Sequence, residues 1–452
     1  MNGSQTSLVE QGGVRVAIQG CGHGQLNTIY KSVQGAALKR GWDTVDLVIV
    51  GGDFQAVRNA ADLTVMAVPM KYRKLGDFPE YYSGRSKAPF LTVFIGGNHE
   101  AISHMWELAY GGWVAPNIYY FGFANVLRLG PIRIAGMSGI WKGPDHYHTP
   151  HSERLPFSHD DIKSFYHVRE FDVRKLLQVK EQVDICLSHD WPEGIEDYGD
   201  AETLFKQKPH FRQSSMRGNF GNPAATHVLD RLRPAHWFSA HMHCKFTALK
   251  QHSAVSNKLS AGNIEEEDLF RPEAMLLASP DKMADSSKIP GQPVPSSVFN
   301  TETQFMALDK CQPEAEHLEL RYIMPLVPPR SKISSCNFKL EYDPEWLAIT
   351  RVFHPHLTIG DPDADNPVDE GEEAYAEMIS RERVWVDKHV VDEGKLMVPE
   401  NFTITAPVHK PEDPSTTNHQ PKAYTNPQMV AFCELLDIQY LWAPKTLAKG
   451  SK

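Results

Sequence analysis

Apolar runs punctuate the first 250 residues, and each stops at a short loop of glycine and polar donors. Val14 to Ile18 reads as a strand and ends at Gly20-Cys21-Gly22-His23-Gly24. Leu26, Ile29, Tyr30 and Val33, followed by Ala36 and Ala37, recur at helical spacing. Val45 to Val50 predicts a second strand, ending at Gly51-Gly52-Asp53. Leu91 to Ile95 predicts a third, ending at Gly96-Gly97-Asn98-His99-Glu100. Asp184 to Leu187 stops at Ser188-His189-Asp190, and His236 to Ser239 at Ala240-His241-Met242-His243. Alternating strands and helices predict an α/β fold. Ligands of such sheets bind outside the carboxyl ends of the strands, so these loops are able to converge on one site.

Beyond residue 250 the pattern weakens. Residues 251–300, rich in Ser, Pro, Lys and Glu, read as a linker or surface excursion. Structure returns at Thr303 to Asp309 and runs through Tyr342, Trp346 and Ile349, so 301–360 is expected to pack on the catalytic domain at 14–250. Asp361 to Glu373 reads as a solvated acidic loop, and 361–452 as that loop and a partly disordered tail.

Composition changes the picture little. A chain of 452 residues with 41% hydrophobic and 23% charged side chains is globular, with about two or three domains or one large core with extensions. No run reaches the roughly 18 apolar residues of a membrane span, and the polar Met1 to Gly13 stretch predicts no secretory signal. Six singly placed cysteines argue for a reducing compartment. The net charge of −10 at first argues against nucleic acid. Most of it, however, sits in Asp361 to Glu373 and Glu265 to Asp268, so an anionic substrate is not excluded.

The candidate chemistry is metal chemistry. Two ions about 3.5–4 Å apart can clamp the attacking and leaving oxygens of a phosphoester. Cys21, His23, Asp53, Asn98, His189, His241 and His243 supply the N, O and S donors, with Asp53 as the natural bridging carboxylate. His99 sits beside a donor and suits a general acid. Each residue alone also fits a plainer role: Cys21 a small buried hydrophobe, Asp53 turn chemistry, His189 a core histidine. In this order, each at a strand end, they point to a dinuclear centre.

Here the sequence resembles the calcineurin-like metallophosphoesterases, whose motifs run D-x-H, G-D, G-N-H-(D/E), H and G-H-x-H. More closely, it resembles the RNA lariat debranching enzymes. The runs that carry this are Gly52 to Asn59 (GDFQAVRN) and Gly111 to Tyr120 (GGWVAPNIYY), with Tyr166-His167-Val168-Arg169, Leu187 to Pro192 and Phe238 to His243. Cys21 stands where most of the superfamily has Asp, and Ala240 where the last motif usually begins with Gly. Gly22 stands where a second Cys is common, and is expected to loosen that loop.

The resemblance implies a metallophosphoesterase β-sandwich flanked by helices, with a lariat-recognition loop at 138–169 and a smaller C-terminal region. It implies one ion on Cys21, His23, Asp53 and His243, and another on Asp53, Asn98, His189 and His241. Asn98, His99 and Asp53 would be catalytic, with His99 protonating the leaving 2′-oxygen and Glu100 either orienting His99 or lying on the surface. The implied reaction is hydrolysis of the 2′,5′-phosphodiester at an intron branch point by a metal-activated hydroxide. A thiolate donor favours iron and zinc over magnesium, with manganese able to substitute. A lariat substrate implies the nucleus, with shuttling to the cytoplasm.

Branched RNA requires stacking surfaces and phosphate contacts. The candidates are Tyr72, Arg73 and Tyr82, then Trp141, Tyr147, His148, Tyr166, His167 and Arg169. Two alternatives remain at this stage. One is a phosphatase of the same superfamily acting on phosphomonoesters or phosphoproteins. The other is a non-catalytic scaffold, which the full set of donors disfavours.

Overall fold

The computed structural model describes residues 12–147, 151–252, 293–328 and 338–443. Most of the expected linker, and His148, lie outside them. Among the described residues, thirteen strands form two mixed sheets: β1 (Val14–Gln19), β2 (Leu47–Val50), β3 (Thr92–Phe94), β4 (Gly112–Ala115), β5 (Ile118–Tyr120), β6 (Ala124–Leu129), β7 (Ile132–Met137), β8 (Ile185–Ser188), β9 (His236–Ser239), β10 (Phe246–Gln251), β11 (Glu302–Ala307), β12 (Leu318–Ile323) and β13 (Leu340–Tyr342). One sheet has the order β12-β1-β2-β3-β5-β4, the other β10-β11-β9-β8-β7-β6-β13. The expected strands form with their ends moved by up to two residues. The run from β4 to β7, which the apolar pattern did not single out, supplies four more.

The helix Leu26–Arg40 shows why the local pattern works. Leu26, Ile29, Tyr30, Val33 and Ala37 are its buried face, and Gly41 ends it in the left-handed region at φ 77°. Both sheets and this helix share one apolar core. Where the sheets meet at their strand ends, a Cβ on Gly51 would lie 2.9 Å from the Ala240 Cβ. The methyl at 240, unusual for the superfamily, fits because residue 51 is glycine.

The C-terminal region does more than pack on the catalytic domain. β12 pairs antiparallel with β1 along its length, β11 pairs parallel with β9, and β13 caps β6. It therefore satisfies edges that would otherwise expose unpaired N–H and C=O groups. A buried ionic knot locks it in place. Asp343 accepts from Arg133 Nε and Nη2 at 2.7 Å each, from Arg128 Nε at 2.7 Å, and caps its own helix through Trp346 N at 3.0 Å. Burial opposes ionisation of Asp343, but the two guanidinium groups outweigh it and hold its pKa far below the usual range.

Residues 361–443, expected as an acidic loop and tail, carry helices at Glu372–Val386 and Pro427–Leu435. The two sequence runs that set this chain apart hold the last part of that stretch. Arg58, fully buried, bonds Asp62 and Glu107 and reaches Thr405 Oγ1 at 3.1 Å, while Asn59 Nδ2 donates to the Pro407 carbonyl at 2.7 Å. Trp113 Nε1 donates to the Pro399 carbonyl at 2.8 Å, and its backbone pairs with the Gln428 amide.

Candidate metal centre and active site

The donors come from the carboxyl ends of β1, β2, β3, β8 and β9, as sheet topology requires. His23, Asp53, Gln55, His241 and His243 all have positive φ, between 46° and 63°. Such a concentration of left-handed backbone is the strain that functional sites carry. Gly52 and Gly97 make the close approach possible: a Cβ would lie 2.2 Å from His189 Nδ1 at the first and 2.3 Å from Asp53 Oδ1 at the second. The 22–24 loop, expected to be loose at Gly22, is instead laced to residues 52–54. Gly22 N, His23 N and Gly24 N donate to the carbonyls of Gly52, Asp53 and Phe54 at 3.1, 2.6 and 3.2 Å.

Ligand atoms of Cys21, His23, Asp53 and His243 lie within 4.8 Å of one another. His23 Nε2 and His243 Nε2 face each other at 3.3 Å, and His241 N donates to Cys21 Sγ at 3.3 Å. Burial, then the Asp53 charge, pushes the Cys21 thiol well up. Burial lowers His243 to about 3, with the nearby charges of His23 and Lys310 adding to the effect.

A second cluster shares Asp53. His189 Nδ1 lies 2.7 Å from the Gly51 carbonyl, which only accepts, so that nitrogen carries the proton. Burial lowers the His189 pKa to about 4, so its Nε2 bears a lone pair at neutral pH. That lone pair lies 3.3 Å from Asn98 Oδ1 and 3.5 Å from Asp53 Oδ1. Three acceptors converge with no proton between them, an arrangement a cation resolves. The His241 ring stands 5.0 Å from that of His189. The donor chemistry therefore fits cations on both sides of Asp53. Burial opposes Asp53 ionisation, but His189, His99 and His23 outweigh it and hold the pKa well below the usual range.

His99 is presented by Asp53, not by Glu100. Its backbone N–H meets Asp53 Oδ1 at 2.9 Å and its Nδ1 meets Oδ2 at 3.1 Å, while the ring remains 31% exposed. Burial would lower His99, but the hydrogen bond and charge of Asp53 outweigh it and raise the pKa. Glu100 is neither a surface carboxylate nor a partner of His99. It is buried and accepts from Phe54 N and Gln55 N at 2.8 Å each and from Gly97 N at 3.0 Å, tying two donor loops together. Gln55, also unforeseen, holds His23 Nδ1 at 3.3 Å. Glu100 closes the Gly-Asn-His-Glu motif and Gln55 lies inside the GDFQAVRN run, but neither run reveals what these side chains hold.

The RNA candidates divide. Tyr82 is a core residue: fully buried, its hydroxyl accepts from Thr405 N and Ala406 N at 2.8 Å each. Arg169 is buried too and bonds Glu153, Ser164 and Asp145, so it braces the 138–169 segment from within. Arg73 spends its guanidinium on the carbonyls of Val68, Leu63 and Thr64. Tyr72 and Tyr147 are exposed, Trp141 stands 4.5 Å from the His146 ring, and Tyr166 and His167 are half-buried. His167 Nδ1 pairs with Asp145.

Two-sheet architecture and a shared-carboxylate donor set define a metallophosphoesterase. The family model "Calcineurin-like phosphoesterase" matches residues 14–245, and membership carries divalent metal binding with it. A second model, "Lariat debranching enzyme, C-terminal domain", matches residues 300–441. The lariat debranching enzyme of Schizosaccharomyces pombe is 39% identical over 94% of this chain and 96% of its own. Those of Arabidopsis thaliana and Homo sapiens are 40% and 41% identical, over 87% and 69% of their own lengths. The chain spans 66% of the length of the Danio rerio relative. The chain belongs to the lariat debranching enzyme family.

Proposed function

We propose that this protein hydrolyses the 2′,5′-phosphodiester at the branch of excised lariat RNA, leaving a 5′-phosphate and a free 2′-hydroxyl. The observation that carries this is Asp53, whose two oxygens serve both donor clusters while presenting His99 to solvent. Cys21, His23, Asp53 and His243 would hold one cation, and Asp53, Asn98, His189 and His241 the other. When bound, such a pair supplies Lewis acidity, drawing charge from the phosphoester and making water acidic enough to attack near neutral pH.

The chain's own residues do the rest. Asp53 accepts from His99 Nδ1 and favours the imidazolium, whose second proton, on Nε2, would pass to the departing 2′-oxygen. Glu100 fixes the spacing of the Asp53 and Asn98 loops. The Cys21 thiol must lose its proton to act as a donor, and a thiolate favours iron or zinc, with manganese able to substitute. Tyr72, Trp141, Tyr147, Tyr166 and His167 are the candidates for contact with branched RNA, and an intron-lariat substrate would be met in the nucleus.

The test uses protein purified without oxygen and loaded with iron, zinc or manganese. It is offered a synthetic 2′,5′-branched RNA, its linear 3′,5′ counterpart and a phosphomonoester. Cleavage of the branch alone, abolished by His99→Ala, is expected. Equal cutting of linear RNA removes the branch specificity, and monoester turnover with intact branches replaces the proposal with a phosphatase.

A further inference from the structure

The loops that present Asp53 and Asn98 are tied together twice. The inner tie is Glu100, beside the centre. The outer tie joins residues 56–62, after Asp53, to residues 103–107, in and just past the short helix Ile102–Trp106. His104 Nδ1 donates to the Ala56 carbonyl at 3.1 Å, and Ser103 Oγ to Asp62 Oδ1 at 2.7 Å. Arg58 Nε donates to Asp62 Oδ2 at 2.8 Å, and Arg58 Nη1 to Glu107 Oε1 at 2.6 Å. Arg58, Asp62 and Glu107 are all buried. Buried charges hold their loops in register only while each keeps its partners.

This knot is completed from the C-terminal region. Thr405 Oγ1 donates to Glu107 Oε2 at 2.6 Å and accepts from Arg58 Nη1 at 3.1 Å. One hydroxyl therefore bonds a residue from each donor loop. Its position is fixed from both sides. The Tyr82 hydroxyl accepts from Thr405 N and Ala406 N at 2.8 Å each, and Asn59 Nδ2 donates to the Pro407 carbonyl at 2.7 Å. Arg58 and Asn59 close the GDFQAVRN run, in which Asp53 is the one metal donor.

We infer that Thr405 is a positioning residue for the metal centre: by bonding both Arg58 and Glu107 it sets the spacing of the Asp53 and Asn98 loops, and so makes the C-terminal region part of metal binding. Asp53 and Asn98 must reach the same cation, and coordination distances tolerate only small changes in that spacing. Residues behind the donors act on affinity in this way without touching the ion. The inference rests on the two-cation reading of the site.

The experiment compares the full wild-type chain with Thr405→Val and Thr405→Ser. Valine keeps the shape of threonine without its hydroxyl, and serine keeps the hydroxyl. Manganese(II) is titrated into metal-free protein by calorimetry. Thr405→Val should bind at least one ion about tenfold more weakly, and Thr405→Ser should restore the wild-type affinity. At manganese near the wild-type half-saturation, kcat on 2′,5′-branched RNA should fall in Thr405→Val while KM stays near wild type. A merely structural Thr405 would lower the melting temperature and leave the manganese affinity of the folded protein unchanged, and that result would overturn the inference. So would a Thr405→Ser protein as impaired as Thr405→Val. Should Thr405→Val not fold, Tyr82→Phe carries the same expectation, because it frees the Thr405 and Ala406 N–H groups and leaves every charge in place; unchanged manganese affinity there overturns the inference. Wild-type protein that binds no manganese would instead defeat the two-cation reading, and this inference with it.

Discussion

Replacing Glu100 with Gln tests how the two donor loops are held. The carboxylate accepts three backbone N–H groups, from Phe54 and Gly97 on Oε1 and from Gln55 on Oε2. An amide has one oxygen, so in either orientation its NH2 faces at least one of these donors. A buried unsatisfied N–H costs about 1–3 kcal/mol, and the misplaced amide donor adds a similar amount, so roughly 2–5 kcal/mol of stability should be lost near pH 8. The loops hold Asp53 and Asn98, and removing such outer support weakens metal binding by roughly 10–100-fold. Burial, then the Asp53 charge, raises Glu100 to about 7. The unfolded carboxyl, near 4.5, is ionised between pH 8 and 6, so the folded wild type gains stability by taking up a proton as pH falls across that range, whereas the Gln variant does not, and the gap should widen. Urea unfolding at the two pH values and metal titration by calorimetry read both effects. A variant within about 0.5 kcal/mol of wild type that binds metal equally well would refute the hydrogen-bond account.

Gly52→Ala places a methyl against His189 Nδ1 at a φ of 111°, so metal content should fall by one ion and kcat/KM by about 10²-fold or more; full metal occupancy would contradict this. Cys21→Ser should weaken one metal and sensitise activity to chelators, whereas unchanged metal content after dialysis would make Cys21 a packing residue. Asp343→Ala removes the carboxylate shared by Arg133 and Arg128 at the C-terminal junction, leaving them Glu345 and Glu181, and should cost about 2–3 kcal/mol in urea unfolding. Burial, then Arg58, lowers His104 to about 3. Its stability contribution is present above the ordinary pKa of 6.5 and is lost as pH falls toward 3, roughly 3 kcal/mol of it by pH 4.5. His104→Gln should flatten that acid limb, and an identical pH profile would refute the assignment.

What the chain alone determined is what short-range chemistry encodes. An apolar run followed by Gly and a donor is a strand that must end. Five such ends put Cys21, Asp53, Asn98, His189, His241 and His243 on one edge. Their order named the superfamily, and the GDFQAVRN and GGWVAPNIYY runs narrowed it. Only the tertiary structure showed why those runs mark this family: Arg58, Asn59 and Trp113 hold C-terminal backbone more than 280 residues away in sequence. The roles of Tyr82, Arg73 and Arg169 were likewise out of reach. An aromatic or a cation reads the same in a surface cluster as in a buried brace, until its partners are known. Glu100 makes the same point. Whether a charge is satisfied depends on which backbone the fold brings to it, and three N–H groups from two loops meet Glu100.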